Sequence, residues 1–227
     1  MLTAAPWPAR AEVLFYGGDR LGELVLENSR HDALTSAIYD DFTVTAPGWK
    51  LHALVAYTGG DELALPAAAE WEIRRGMSSG NGGALIASGS TRAFTWTPTG
   101  VKGRVIEEYV LRVDVFDQAL VLPPGTYHLM LRPVMSRSEL TTFLYITDGS
   151  NSIGGPSGNG DSFLHAPKFN YLYREVGQLP GQKPKVDFRY AVEGERIERP
   201  TPQGKPEVAE NDLDVIFLYT LSRLLFR

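Results

Sequence analysis

The sequence predicts an all-β protein: a two-sheet antiparallel β-sandwich, jelly-roll-like, followed by a linker and a short apolar C-terminal tail. The first observation is the density of turn residues, since 23 glycines and 15 prolines interrupt the 227-residue chain at short intervals. The second is that the segments between them alternate apolar and polar residues, which is the period of a strand with one buried face. The third is the lack of long helical periodicity. About ten to twelve strands separated by turns are typical of a sandwich.

The longest alternating unit, residues 104–133, is expected to form the centre of the fold. Its first half places five apolar side chains on one face: Val105, Tyr109, Leu111, Val113 and Val115. The sequence Pro-Pro-Gly at 123–125 predicts a turn, because proline fixes φ at the second position and glycine tolerates positive φ at the third. A second alternating strand follows at 126–131. We therefore predict a long antiparallel unit that a second sheet must cover.

The rest of the chain is predicted to form shorter strands joined by polar turns. Before the central unit these are Glu12–Tyr16, Leu24–Leu26, Ile38–Thr45, Trp49–Tyr57, Glu70–Arg75, Ala84–Ala87 and Ala93–Thr97. After it they are Thr141–Thr147, Phe169–Tyr173 and Lys185–Val192. Residues 59–69 and 148–162 are predicted loops, the first with a helical turn at its alanines. Trp49 and Trp71 are in phase with apolar neighbours and are predicted core residues.

The predicted domain organisation has four parts. Residues 1–11 are an N-terminal arm or the remnant of a signal peptide, since residues 9–11 have the small-x-small pattern of a cleavage site. Residues 12–194 form the β-sandwich domain. Residues 195–212 are charged and proline-rich, as linkers are. Residues 213–227 form an apolar C-terminal segment.

Composition excludes several classes of function. A net charge of −5 argues against a general nucleic-acid binder, which would present a basic surface. The absence of cysteine excludes disulfides, thiolate zinc sites and a cysteine nucleophile. No run of about 18 apolar residues is present, so no transmembrane helix is expected.

Short fragments in a fixed order carry a family resemblance. They are Ala37–Val44 (AIYDDFTV) followed by Trp49, Ala69–Ile73 (AEWEI), Ala87–Gly89, Glu108–Tyr109, Leu122–Leu129 (LPPGTYHL), Asn151–Gly155 (NSIGG) and Asp187–Gly194 (DFRYAVEG). Together they resemble the bacterial extracellular β-sandwich domains of PEP-CTERM and choice-of-anchor proteins. The resemblance implies an exported, surface-associated domain, usually without known enzymatic activity. It does not extend to the sorting tail, because residues 213–227 are too short and too charged to span a membrane.

Catalysis is not expected. The sequence contains no HExxH, GxSxG, P-loop or dinucleotide-binding motif. Glycosidases use two carboxylates that face each other across a sugar. The carboxylate pairs in this chain are neighbours in sequence, such as Glu107 and Glu108, and neighbours on one strand point to opposite faces.

Calcium is the one metal ion that the sequence favours, as an optional stabiliser and not as a required cofactor. Ca²⁺ prefers carboxylate, amide and carbonyl oxygens. The candidate ligands are Asp40, Asp41, Asp148, Asn151, Asn159 and Asp161. The alternative explanation is that the Asp, Asn and Gly of residues 148–162 are only turn formers.

Some aromatic residues are candidates for a glycan-binding surface, because sugar C–H faces stack on aromatic rings. The candidates are Trp96, Tyr171 and Tyr173, with Trp7 as a further exposed aromatic. With 10 tyrosines, 10 phenylalanines and 4 tryptophans in an all-β chain, most aromatic side chains must serve packing.

The C-terminal segment concentrates apolar residues in a way that predicts burial. They are Val215, Ile216, Phe217, Leu218, Tyr219, Leu221, Leu224, Leu225 and Phe226. This segment either folds back on its own domain or docks on a neighbouring copy of the chain. We therefore expect an exported or cell-surface structural or adhesive protein that acts by binding. Two alternatives stay open: a carbohydrate-binding module, with or without calcium, and a self-assembling subunit.

Overall fold

Two antiparallel β-sheets packed against each other form the protein. The computed structural model describes residues 11–31, 34–60, 65–103, 106–118, 120–137, 141–179 and 186–198. Over these ranges there is no α-helix, and the only helical segments are single 3₁₀ turns at Phe116–Gln118, Pro167–Phe169 and Val176–Gln178. The predicted all-β sandwich is confirmed.

The strands are listed here in chain order. They are β1 (Glu12–Tyr16), β2 (Arg20–Glu27), β3 (Arg30–His31), β4 (Leu34–Thr35), β5 (Ala37–Val44), β6 (Trp49–Gly60), β7 (Pro66–Arg75), β8 (Ala84–Thr91), β9 (Thr95–Lys102), β10 (Glu107–Asp114), β11 (Val121–Leu122), β12 (Gly125–Met135), β13 (Phe143–Thr147), β14 (Phe163–Ala166), β15 (Tyr171–Glu175), β16 (Asp187–Phe188) and β17 (Tyr190–Arg196).

Each sheet is built around one long strand. In sheet A the order is β1-β17-β6-β10-β9, β11 pairs with the start of β6, and β13 joins the end of β6 to β2 and β16. In sheet B the strands run β15-β14-β5-β12, and β7 and then β8 continue beyond β12. The short strands β3 and β4 lie beside the end of β12, where β3 makes a single parallel pairing.

The core lies between the sheets and follows the predicted alternation. Trp49 and Trp71 are each 1% exposed, which confirms both as core residues. The Phe42 ring stacks between Trp49 and Tyr127, with ring centroids 6.1 and 5.8 Å away. Stacked aromatic pairs at this spacing add to the stabilisation that burial itself supplies.

The central unit differs from its prediction in one respect. Both strands form, but β10 pairs with β6 and β9 in sheet A, whereas β12 pairs with β5 and β7 in sheet B. The connection between them therefore crosses from one sheet to the other. Alternation requires one buried face and does not specify which sheet supplies the partner strand.

The predicted helical turn at the alanines before Glu70 is wrong, because Ala67–Ala69 belong to β7. Strand β7 is paired on both sides, by β12 and by β8. Two ladders of backbone hydrogen bonds override the helical preference of alanine, which is a weak bias by comparison.

Sheet B is also buried on part of its outer face. A second apolar cluster there consists of Ala37, Tyr39, Met77, Met130 and Phe163, with Tyr173 packed against it. The turn before β8 reaches over this cluster, since the Gly80 N–H donates to the Tyr173 carbonyl over 3.0 Å. Strand β5 is consequently buried on both faces, and this includes Asp40 and Asp41.

Candidate functional site

Carboxylates from three separate segments lie close together beside the middle of β5. Asp40 and Asp41 come from β5, Asp187 begins β16, and Asn159 and Asp161 lie in the loop before β14. We call these five residues the acidic cluster. Three of its carboxylates are almost fully buried: Asp40 is 2%, Asp41 3% and Asp187 2% exposed.

Asn159 connects the members of the acidic cluster. Its Nδ2 lies 3.2 Å from both carboxylate oxygens of Asp41 and 3.5 Å from Asp161 Oδ2. Its backbone N–H donates to Asp187 Oδ2 over 3.1 Å, and the next N–H, of Gly160, donates to Asp187 Oδ1 over 2.8 Å. Gly160 has φ of 81°, a left-handed conformation that glycine adopts without strain and that allows successive N–H groups to face one carboxylate.

One oxygen of the Asp40 carboxylate accepts a hydrogen bond and the other does not. The Phe188 N–H donates to its Oδ2 over 2.6 Å, while its buried Oδ1 has no hydrogen-bond partner among the described residues. Burial, reinforced by the charge of Asp187, raises the pKa of Asp40 well above its ordinary value. Burial and the neighbouring carboxylates also raise the pKa of Asp41 to about 7, although the Asn159 amide opposes this. The charged forms are disfavoured because two or more anions share a site of low polarity.

His128 borders the same cluster from β12. It lies directly opposite Asp41 in the β5–β12 register, so the two side chains share the outer face of sheet B. The residue is 6% exposed, and within the described part of the chain neither ring nitrogen has a hydrogen-bond partner. Burial lowers the pKa of His128 to about 4, and the charge of Asp161 opposes that shift.

The metal-ligand geometry of the cluster is incomplete as it stands. Among the residues that the structure describes, no three His, Cys, Asp or Glu side chains converge closely enough to hold a metal ion. A cation at this position would therefore need amide and backbone carbonyl oxygens besides carboxylates. Calcium accepts such a mixed set, since it takes six to eight oxygen ligands of any of these kinds.

The structure separates the six predicted metal ligands into two groups. Asp40, Asp41, Asn159 and Asp161 meet in the acidic cluster. Asp148 and Asn151 lie in the first half of the same loop, where Asn151 Nδ2 donates to Asp19 Oδ2 over 2.8 Å. Asp148 Oδ1 accepts hydrogen bonds from the backbone N–H and the hydroxyl of Ser150 at 3.0 and 2.6 Å. Asp148 therefore makes local turn contacts, the alternative that the sequence left open, whereas Asn151 connects the loop to the turn between β1 and β2.

Sequence reasoning missed Asp187 and His128. Both alternate correctly with apolar neighbours, so each was predicted to point outward on its strand. His128 lies on the outer face of sheet B opposite Asp41 and is nevertheless buried, while the Asp187 carboxylate is covered by the loop that contains Asn159 and Gly160. The only signal for Asp187 was its place in a fragment, 187–194, that carries the family resemblance.

The predicted glycan-binding aromatics do not share a surface. Trp96 lies in sheet A and stacks on Tyr109, with ring centroids 4.8 Å apart. Tyr173 belongs to sheet B and is enclosed by the rings of Tyr39 and His165, at 5.8 and 4.4 Å. Tyr171 lines a separate, largely apolar cavity of about 340 Å³, together with Leu26, Glu27, Ser36, Leu164, Ala166, Phe169 and Leu179.

An open groove crosses the outer face of sheet B over β8, β7, the second half of β12 and β3. It consists of two adjoining cavities of about 400 and 420 Å³. We call it the outer groove, and its polar side chains are Arg30, Glu70, Glu72, Ser88, Ser90 and Arg132. They come from β3, β7, β8 and β12 and project from the sheet on one side, because the outward positions of adjacent strands are in register.

Ion pairs fix the groove side chains in place. Arg132 is 8% exposed, and its Nη2 lies 2.9 Å from Glu70 Oε2 while its Nη1 donates to the Ser36 carbonyl over 3.1 Å. Arg30 pairs with the other Glu70 oxygen. Glu72 accepts hydrogen bonds from the Tyr39 hydroxyl at 2.9 Å and from Arg74 Nε at 2.5 Å.

The apolar C-terminal residues 215–226 lie outside the described residues, as do the predicted linker from residue 199 and the arm before residue 11. No helix within the described ranges has the length and apolar character needed to cross a membrane.

The chain matches no protein-family model and no curated protein sequence.

Proposed function

We propose that the protein is an exported or cell-surface β-sandwich that acts by binding and that its ligand is a glycan held in the outer groove. The observation that carries the proposal is the outer groove itself, an open channel with fixed hydrogen-bonding side chains on one sheet face. Binding sites of this kind use a few precisely placed polar groups to orient a ligand.

The groove side chains suit a ligand rich in hydroxyl groups. Glu70 pairs with both Arg132 and Arg30 and so holds the two guanidinium groups in place; Arg132 is buried, whereas the Arg30 side chain is 51% exposed and accessible to a ligand. Ser88 and Ser90 add hydroxyls that both donate and accept. Recognition here depends on hydrogen bonds, since the predicted aromatics Trp96, Tyr171 and Tyr173 lie elsewhere.

Binding without chemistry is supported by the state of the two groove carboxylates. Glycoside hydrolysis needs one protonated carboxyl group and one carboxylate on either side of the sugar bond. Glu70 and Glu72 are each paired with an arginine and lie two residues apart on the same strand, so they do not face each other across a bound sugar. Export is supported by the ordered fragments that resemble surface domains. Two of these fragments, 37–44 and 122–129, pair directly as β5 and β12.

The test is a glycan array followed by calorimetric titration with the best ligand. Arg30→Ala is expected to weaken binding at least about tenfold, because it removes a charge-assisted hydrogen bond. Arg196→Ala is the matched control: both arginines are 51% exposed and paired with one glutamate, but Arg196 lies in sheet A. Its affinity is expected to equal that of the unaltered protein.

Three outcomes would contradict the proposal. Failure to bind any neutral or acidic glycan would exclude the ligand class. Equal losses in both variants would place binding away from the outer groove. Release of shortened glycan on incubation would show catalysis.

Export is tested separately by fractionating cells that produce the full-length protein, and a purely cytosolic product would contradict it.

A further inference from the structure

We propose that the acidic cluster binds one calcium ion, held by the carboxylates of Asp41 and Asp161, the amide oxygen of Asn159 and backbone carbonyls of the surrounding loop. Asp187 and Asp40 lie behind this position and supply further negative charge. The proposal does not depend on the glycan ligand, because the acidic cluster and the outer groove are built from different side chains.

The first argument is that no described arginine or lysine neutralises the carboxylates of the acidic cluster. The carboxylates of Asp40, Asp41 and Asp187 are buried, and the groups that donate hydrogen bonds to them are backbone N–H groups and the Asn159 amide, with no arginine or lysine of the described residues among them. Like charges so close together are costly in a poorly solvated site unless protons or a cation neutralise them. The buried carboxylate of Glu108, by contrast, forms an ion pair with Arg189.

The second argument is that buried polar atoms at the cluster lack partners. Asp40 Oδ1 is buried and accepts no hydrogen bond from the described residues, although the other oxygen of the same carboxylate is only 2.6 Å from the Phe188 nitrogen. His128, across from Asp41, has two buried ring nitrogens in the same state. Buried polar groups are normally satisfied, so an unsatisfied group beside several carboxylates indicates a missing ligand.

The third argument is the position of the Asn159 amide. Among the described residues, its Nδ2 is the side-chain donor that reaches two carboxylates of the cluster, those of Asp41 and Asp161. Turning the amide by half a rotation would give up the 3.2 Å hydrogen bond that Oδ1 accepts from the Asp161 N–H and would present Oδ1 to a cation between the two carboxylates. Calcium accepts such ligands with irregular geometry, whereas magnesium requires a near-ideal octahedron.

The test uses the full-length protein and calcium alone. After treatment with EDTA, calcium is titrated at pH 7.5 by calorimetry, and unfolding is followed with and without the ion. One binding event is expected, with a rise in Tm of about 5 °C or more at a hundredfold excess over Kd. Asp161→Asn is expected to lower the calcium affinity at least about tenfold, since it removes one of two carboxylate ligands while leaving the buried residues intact.

Asp148→Asn is the matched control, because Asp148 lies in the same loop, carries the same charge and contacts Ser150 instead of the cluster. Its calcium affinity is expected to be unchanged. Absence of calcium binding would overturn the proposal, and an equal loss in both variants would overturn the location. Stabilisation by Zn²⁺ or Mn²⁺ but not by Ca²⁺ would overturn the choice of ion. Stabilisation by acid alone would show that protons neutralise the cluster.

Discussion

Glu108 and Asp40 are both 2% exposed, yet their carboxylates have different partners. Glu108, in sheet A, is paired with Arg189 and accepts a 3.0 Å hydrogen bond from the Thr99 hydroxyl. Arg189 is itself fixed by the Tyr16 hydroxyl and lies 4.0 Å from the centre of the Tyr57 ring. Asp40, in sheet B, accepts a backbone hydrogen bond from Phe188 and has two carboxylate neighbours, Asp41 and Asp187.

The difference shows two ways of burying negative charge. The fold itself neutralises Glu108, because Arg189, which lies between β16 and β17, is positioned beside it without any ligand. Asp40 and its neighbours have no such partner within the described residues and depend on protons or an added cation. A buried carboxylate of the first kind contributes to stability, and one of the second kind indicates a binding site.

The largest effect is expected when the Glu108 pair is broken. Arg189→Met leaves Glu108 buried without its cation, which typically costs about 3–5 kcal/mol of unfolding free energy. Urea denaturation at pH 7.5 measures this loss. The double variant Arg189→Met with Glu108→Gln should recover part of the stability, because the unpaired charge is gone. A loss below about 1 kcal/mol in the single variant would mean that the pair is solvated and would remove one side of the comparison.

A smaller effect is expected from pH in a calcium-free buffer. The folded pKa of Asp41 is about 7, above the ordinary value of 3.8, so the folded protein holds more protons than the unfolded chain between these limits. The stability that Asp41 contributes is therefore fully present below pH 3.8 and declines as the pH rises towards about 7. The Tm should fall by several degrees from pH 5 to pH 8. Asp41→Asn should flatten the profile, and a Tm that rises with pH would contradict the assignment.

The smallest effect is expected from replacing Asp40 in the absence of calcium. Asp40→Asn should change the unfolding free energy by less than about 1 kcal/mol, because the amide resembles the protonated acid that burial favours and its oxygen still accepts from Phe188. Glu108→Gln should cost about 1.5–3 kcal/mol, the usual range for a hydrogen bond to a charged group. Equal losses at the two positions in urea denaturation would show that Asp40 also has a compensating partner.

The sequence predicted most residues of the candidate site, but it did not predict which of the candidates lie together. Asp40, Asp41, Asn159 and Asp161 were predicted to act together from their residue types and loop context, and the structure brings them together. Asp148 has the same residue type and lies in the same loop, yet it belongs elsewhere. The distinction depends on which end of the loop returns to β5, and no local pattern encodes this.

The glycan surface was predicted less well, for a related reason. Trp96, Tyr171 and Tyr173 were predicted because sugar C–H faces stack on exposed aromatic rings. In the structure their neighbours from distant strands decide their accessibility, as when Tyr39 and His165 enclose Tyr173. The outer groove was not predicted, since its side chains come from four strands that are far apart in the chain.

The sequence by itself determined that the protein is an all-β sandwich, where most long strands lie and which tryptophans are buried, because strand periodicity and turn residues are local properties. Only the tertiary structure decided that β10 and β12 belong to different sheets, that Asp187 joins Asp40, and that Arg189 neutralises Glu108. The physical reason is that pairing and charge compensation depend on contacts between residues about 80 to 150 positions apart, such as Glu108 with Arg189 and Asp40 with Phe188. Alternation fixes which face of a strand is buried but leaves open which strand it meets.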